Sequence, residues 1–230
     1  MAQATTGNGP AAPGLSPDAL RVRAAQLGLF ETPILHAQVQ DAAAIDADLR
    51  RAILSRAAGH ADGVNRSNIG GWHSDTDMLH WGGPAATRLA DLAIRMARRA
   101  SHFDGRDPAT VEWTVRMWAN LSPPGALNMS HAHPGILWAA VYYLDMGTDP
   151  GDGDPGGELY LEDPRFPVTM MRLPGFRMLG TDGQPQSNER RLPTRAGDLV
   201  LFPAWLRHGV RPHKGSRDRI SIAMNIDVKG

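Results

Sequence analysis

The sequence predicts a mainly β, α+β fold, a jelly-roll barrel with helices packed on one of its sheets. Two observations carry that expectation. The half before residue 110 holds two long helical periodicities, and the half after it holds five strand-like runs parted by Gly, Pro and Asp. The chain also has no cysteine, so neither disulfides nor thiolate metal sites organise it.

Each element follows from local pattern. Residues 1–16 ("MAQATTGNGPAAPG" and the two after it) read as a flexible tail, and 17–230 as a single domain with helical support over 17–109 and a β core over 110–228. "SPDALRVRAAQLGLF" opens with Ser16 and Pro17, a helix-start signal. "TPILHAQVQ" (32–40) has the texture of a strand. "DAAAIDADLRRAILSRAAG" (41–59) is an amphipathic helix, with Asp41 as cap and Gly59 as its end. A second helix covers 86–103, with Leu89, Leu92, Ile94 and Met96 on its apolar face. Between the two lies "NRSNIGGWHSDTDMLHWGGP", too long for a simple connector and of the type that carries function. Then come "TVEWTVRMWANL", "ILWAAVYYL", "GELYLEDP", "DLVLFPAW" and "RISIAMNIDV", all strand-like. The stretch 171–197 has turn signals enough for a hairpin of its own.

Composition narrows the function. With 24 basic and 24 acidic side chains the net charge is zero, so no electrostatic stripe points to nucleic acid or a membrane surface. No apolar run is long enough to span a bilayer. A cytoplasmic protein is expected, acting on a small molecule or an amino-acid side chain. A helical layer and Trp-rich loops leave room for a homodimer.

The chemistry concentrates in "NMSHAHPG" (128–135). If this run is extended, His131 and His133 face one side and chelate one ion. Alone, the pair reads equally well as two wet loop histidines. Downstream, "GDLVLFPAWLRH" delivers His208 from a distant strand, which closes a three-nitrogen site at a barrel mouth. Arg219 and Ser221 share a strand face and offer a guanidinium fork beside a hydroxyl, suited to a carboxylate. The bland alternative for Arg219 is a surface ion pair. Of Tyr142 and Tyr143, strand alternation turns one inward. Trp72 and His73 in the Gly-rich loop, and Arg116, Trp118 and Asn120 on the strand before the histidines, are candidate substrate contacts. His213 is expected to be exposed.

The order HxH, YYL, GGxL, GDLVLFPxxxxH, RxS resembles the double-stranded β-helix (cupin-like) core of the 2-oxoglutarate/Fe(II)-dependent oxygenases, in their prolyl-hydroxylase-like branch. It is most similar to a bacterial and phage family with an HxH motif, whose members open with a segment like "LFETP" (29–33) and close with one like "RISIAMN" (219–225). The resemblance implies Fe(II) as metal, 2-oxoglutarate as cosubstrate and O2 as oxidant. It makes His131, His133 and His208 the metal ligands, and Arg219, Ser221 and Tyr143 the grip on the 2-oxoglutarate distal carboxylate. The implied reaction is hydroxylation of an unactivated C–H bond, with release of succinate and CO2.

His133 departs from the wider superfamily, which has Asp or Glu there. Three neutral imidazoles would leave Fe(II) at a formal charge of +2 instead of +1. Other readings stay open on sequence. His133 can turn away, as in a halogenase-like variant, or Glu158 or Glu162 can supply a carboxylate. A cupin-like metalloenzyme without 2-oxoglutarate is another, although "PGILWAAV" lacks the usual cupin glutamate. A non-catalytic carboxylate-binding jelly roll is the last.

Overall fold

The computed structural model describes residues 23–165 and 175–229. In chain order the elements are β1 (Leu35–Gln38), α1 (Ala43–Gly59), β2 (Asn68–Ile69), β3 (Trp72–His73), α2 (Met78–Trp81), α3 (Gly83–Arg99), β4 (Trp113–Ser122), β5 (Leu127–His131), β6 (Trp138–Asp145), β7 (Leu159–Glu162), β8 (Glu189–Leu192), β9 (Asp198–Pro203), β10 (His208–Val210) and β11 (Arg219–Val228). Two antiparallel sheets face each other, β1-β9-β6-β11-β4-β3 and β2-β5-β10-β7-β8. The architecture is the double-stranded β-helix that the strand order predicts.

Period-two alternation sorts the large sheet into two faces. Ile220, Ile222, Met224 and Ile226 of β11 join Met117, Ala119 and Leu121 of β4 in a core beneath the helices. Trp138, Ala140, Tyr142 and Leu144 of β6 extend it. The opposite face of the same strands lines the space between the sheets: Arg219, Ser221 and Asn225 from β11, and Arg116, Trp118 and Asn120 from β4. A smaller core of Tyr143, Leu159, Leu161, Val200, Phe202 and Leu206 closes that space from below. Each buried Leu, Ile or Phe contributes about 1.5–3 kcal/mol relative to exposure.

The helices differ in detail from the sequence pattern. Asp41 is not the cap of α1. It sits at φ 53°, and Ala42 occupies the N-cap without a side-chain hydrogen bond. Only Ile45, Leu49 and Ile53 are buried, a narrow stripe at four-residue spacing rather than a broad apolar face. Those three pack into the core with the sheet, and a polar contact is added where the Tyr142 hydroxyl donates to Asp46 Oδ1 at 2.6 Å. In α3 the buried face is mostly alanine (Ala85, Ala86, Ala90, Ala93, Ala97) with Leu89, while Leu92, Ile94 and Met96 are only half-buried. Small side chains let this helix lie close on β4, β9 and β11.

The Gly-rich connector is ordered and bridges the sheets, because β2 pairs with β5 of one and β3 with β4 of the other. A Cβ on Gly71, between them, would stand 2.9 Å from the Leu121 carbonyl oxygen, so only glycine fits there. The helix start at Ser16 and Pro17 lies outside the described residues, and residues 23–30 carry no helix. Of 171–197, residues 171–174 are likewise outside. The remainder holds a tight turn, in which the Gly180 amide donates to Gln184 O at 2.8 Å, and strand β8.

Candidate active site

Two paired strands and the loop that follows the first bring the imidazoles together. His131 ends β5, His208 begins β10, and the two stand opposite each other in register. His133 lies two residues past the end of β5, where its amide donates to Ala204 O at 2.9 Å and stops the chain from wandering. One nitrogen of each ring lies within 4.8 Å of the others, and this His131–His133–His208 cluster is the one group of this kind among the described residues.

The tautomers are legible. His131 Nδ1 lies 2.8 Å from Met129 O, and His208 Nδ1 lies 2.8 Å from Leu206 O. A carbonyl only accepts, so each Nδ1 carries the proton and each Nε2 keeps a free lone pair. His133 has no carbonyl partner. Its Nδ1 faces Asn225 Nδ2 at 3.3 Å. Burial, aided by the neighbouring imidazoles, pushes His208 down to about 3, and burial with His131 and Arg116 nearby pushes His133 down to about 4. Burial lowers His131 as well. All three are neutral donors at pH 7.

Deeper in the same cavity, whose volume is about 580 Å³, lies Arg219. It is 1% exposed, with no carboxylate within 4 Å among the described residues. Its Nη1 donates to Ser221 Oγ at 3.2 Å, but Nε and Nη2 have no partner. The guanidinium carbon stands 5.1 Å from the centre of the Tyr143 ring, and the Tyr143 hydroxyl is also buried without a partner. Burial lowers the Arg219 pKa and raises that of Tyr143. A buried charge with unmet donors costs several kcal/mol, so the arrangement calls for an anion. Gly157, at φ 71°, leaves room for the arginine stem, since a Cβ there would lie 3.3 Å from Arg219 Cδ.

His73, Arg116, Trp118 and Asn120 line the upper cavity, with the His73 and Trp118 rings stacked at 5.5 Å. Trp72 does not. Alternation turns it the other way, against the core beneath the helices, where its indole N–H donates to His60 O at 2.8 Å. Glu162 is occupied by Ser130 and Arg207, and Glu158 faces Arg191 at 3.6 Å, so neither carboxylate belongs to the imidazole cluster. His213 is buried, not exposed, because Nε2 meets Arg217 O at 2.7 Å and pins the connection into β11. The sequence reading passed over Asn225 and Arg66, both on the cavity wall. Asn225 had a signal, since it continues the 219–221–223 face. Arg66, on an irregular segment, had none.

Residues 116–225, the stretch that supplies the three clustered imidazoles, Arg219, Ser221 and Tyr143, match the family described as "Putative 2OG-Fe(II) oxygenase". That stretch, just under half of the chain, is similar to the 2OG-Fe(II) oxygenases. Members of this family use Fe(II), 2-oxoglutarate and O2. Solved structures agree on the fold. A prolyl-4-hydroxylase of Pseudomonas putida is 21% identical over 86% of this chain and 93% of its own, with a TM-score of 0.57. A Trichoplax adhaerens prolyl hydroxylase, solved with a hypoxia inducible factor peptide fragment, is 15% identical over 84% and 83%, also at 0.57. HygX of Streptomyces hygroscopicus, with nickel, 2-oxoglutarate and hygromycin B bound, is 15% identical over 85% and 83%, at 0.53. No curated protein matches the chain. No described helix is long and apolar enough to cross a membrane.

Proposed function

We propose that this protein is an oxygenase, a hydroxylase of a small molecule or an amino-acid side chain, with a three-histidine metal centre. The observation that carries the reading is the buried, half-unpartnered Arg219 guanidinium in the cavity that also holds the three imidazoles. His131 and His208 fit Fe(II) through Nε2, because their Nδ1 protons are already committed to carbonyls. His133 completes the set, which favours a ligand over a halogenase-like turned-away histidine. Arg219, Ser221 and the Tyr143 hydroxyl receive the distal carboxylate of 2-oxoglutarate and satisfy their own unmet donors by doing so. A cupin-like centre without 2-oxoglutarate would leave that guanidinium uncompensated. When bound, Fe(II) and 2-oxoglutarate supply O2-dependent oxidation of a C–H bond coupled to decarboxylation to succinate and CO2. The protein's part is to orient: His73, Arg116, Trp118 and Asn120 hold the substrate toward the imidazole cluster, and the apolar floor of Leu159 and Phe202 keeps water out.

Anaerobic reconstitution with Fe(II) and 2-oxoglutarate tests this. A weak visible charge-transfer band is expected, lost in Arg219→Ala while metal content persists. Iron bound stoichiometrically with no such band would overturn the cosubstrate assignment.

A further inference from the structure

The chain has as many acidic as basic side chains, yet its cavity does not share that balance. Its lining includes Arg66, Arg116, Arg219 and four histidines, and no Asp or Glu among the described residues. Arg116 stands opposite Asn225 in the β4–β11 register, near enough to His133 to lower its pKa, and Arg66 acts likewise on His73. Neither arginine has a carboxylate within 4 Å among the described residues. On the reading given above, Fe(II) and the 2-oxoglutarate dianion cancel. Arg219, Arg66 and Arg116 then leave a formal charge of about three positive units, with Arg219 buried in the floor and Arg66 and Arg116 exposed at the mouth. We infer that the primary substrate is a small organic anion, a carboxylate or phosphate monoester, held at the mouth by Arg66 and Arg116. This rests on the oxygenase reading, and the test separates the two.

The full chain is loaded anaerobically with Fe(II) and saturating 2-oxoglutarate, and the charge-transfer band is recorded first. No band at this step sinks the oxygenase reading, and this inference with it. Two matched panels are then titrated by calorimetry. N-acetylamino acids are set against their amides, and phenyl phosphate and glycerol phosphate against the parent alcohols. At least one anion should bind tenfold or more tightly than its neutral partner, and the panel in which it falls names the acid class. Arg66→Gln with Arg116→Gln should erase that preference while 2-oxoglutarate affinity stays within twofold. A normal band with no anion out-binding its partner, or a preference that survives the double substitution, refutes the anion site alone.

A second observation stands independently. His131 and His208 have carbonyl acceptors at Nδ1, whereas His133 has the Asn225 carboxamide, with Nδ2 at 3.3 Å and Oδ1 buried without a partner. In that orientation Nδ2 donates to Nδ1, which places the ring proton on Nε2 and removes the lone pair a metal needs. Turning the amide over presents Oδ1 to Nδ1–H and frees Nε2. The geometry points to Asn225 as the positioning residue that sets the His133 tautomer for metal binding.

The check is Co(II) titration of the metal-free protein, read by visible absorbance. Asn225→Leu should weaken Co(II) binding about tenfold to a hundredfold, the range typical of outer-shell partners. Asn225→Asp, an acceptor at the same place, should restore it. Thermal unfolding of the metal-free variants reports any purely structural loss. Wild-type affinity in Asn225→Leu, or equal losses in both variants, refutes the assignment, whereas a wild-type chain that binds no Co(II) refutes the three-histidine centre itself.

Discussion

Arg219 and Tyr143 face each other across neighbouring strands, guanidinium carbon 5.1 Å from the ring centre, each with polar atoms that meet nothing. Tyr143 pairs in register with Ser221, two residues on from Arg219, so the three form one patch. Arg219→Ala should weaken 2-oxoglutarate binding by two to three orders of magnitude, about 3–4 kcal/mol, as expected for removing one partner of a buried charge pair. Tyr143→Phe should cost about 1–1.5 kcal/mol. Calorimetry of the metal-loaded protein measures both.

Gly157 supports the same patch from behind. Gly157→Ala forces a Cβ to 3.3 Å from Arg219 Cδ at a backbone angle that L-residues avoid. A stability loss of about 1–2 kcal/mol is expected from the strain, with a several-fold weaker grip on 2-oxoglutarate. Urea unfolding and cosubstrate titration read the two effects separately. An unchanged midpoint would contradict the tight approach.

The depressed histidines give the metal-free protein an acid-sensitive window. The folded-state value of His208 is about 3 and that of His133 about 4, against roughly 6.5 in the unfolded chain. Below about pH 6.5 the unfolded chain takes up protons that the folded chain refuses. Stability is therefore whole above that pH and declines as pH falls toward the folded values. For His208 alone the loss is about 2 kcal/mol at pH 5. Urea midpoints at pH 7.5 and 5.0 should show the decline, and His208→Asn should flatten it.

Each imidazole of the cluster should matter to metal affinity. His131→Ala, His133→Ala and His208→Ala should each weaken Co(II) binding at least tenfold. His133→Asp, which installs a carboxylate, should hold metal. Retained affinity in His133→Ala alone would return the site to a two-histidine, open-position centre.

The tether between α1 and the sheet lies outside the cavity and offers a control. Tyr142→Phe leaves Asp46 without its donor and should cost about 1–2 kcal/mol of stability. Cosubstrate affinity should not move. A drop in 2-oxoglutarate binding would mean that the helical layer and the cavity are coupled.

Much of this was written in the sequence because strand alternation is a rigid rule. From "RISIAMN" alone, Arg219 and Ser221 fall on one face and Ile220 and Ile222 on the other, and the two cores divide along that line. The three histidines were legible as donors for the same reason, helped by motif order. The errors came where a side chain's partner lies far away in sequence. His213 is buried by a turn that closes on Arg217, and Trp72 points away from the cavity because β3 pairs with β4. The alanine face of α3 escaped because alanine is neutral in pattern reading and reveals itself only by close approach. Asn225 was visible as a residue but not as a partner, since its role depends on a ring 92 positions earlier.

β11 carries foundation and instrument on alternate residues, with Ile220, Ile222, Met224 and Ile226 under the helices and Arg219, Ser221 and Asn225 in the cavity. A drift in that strand is therefore punished twice, once in folding and once in cosubstrate capture.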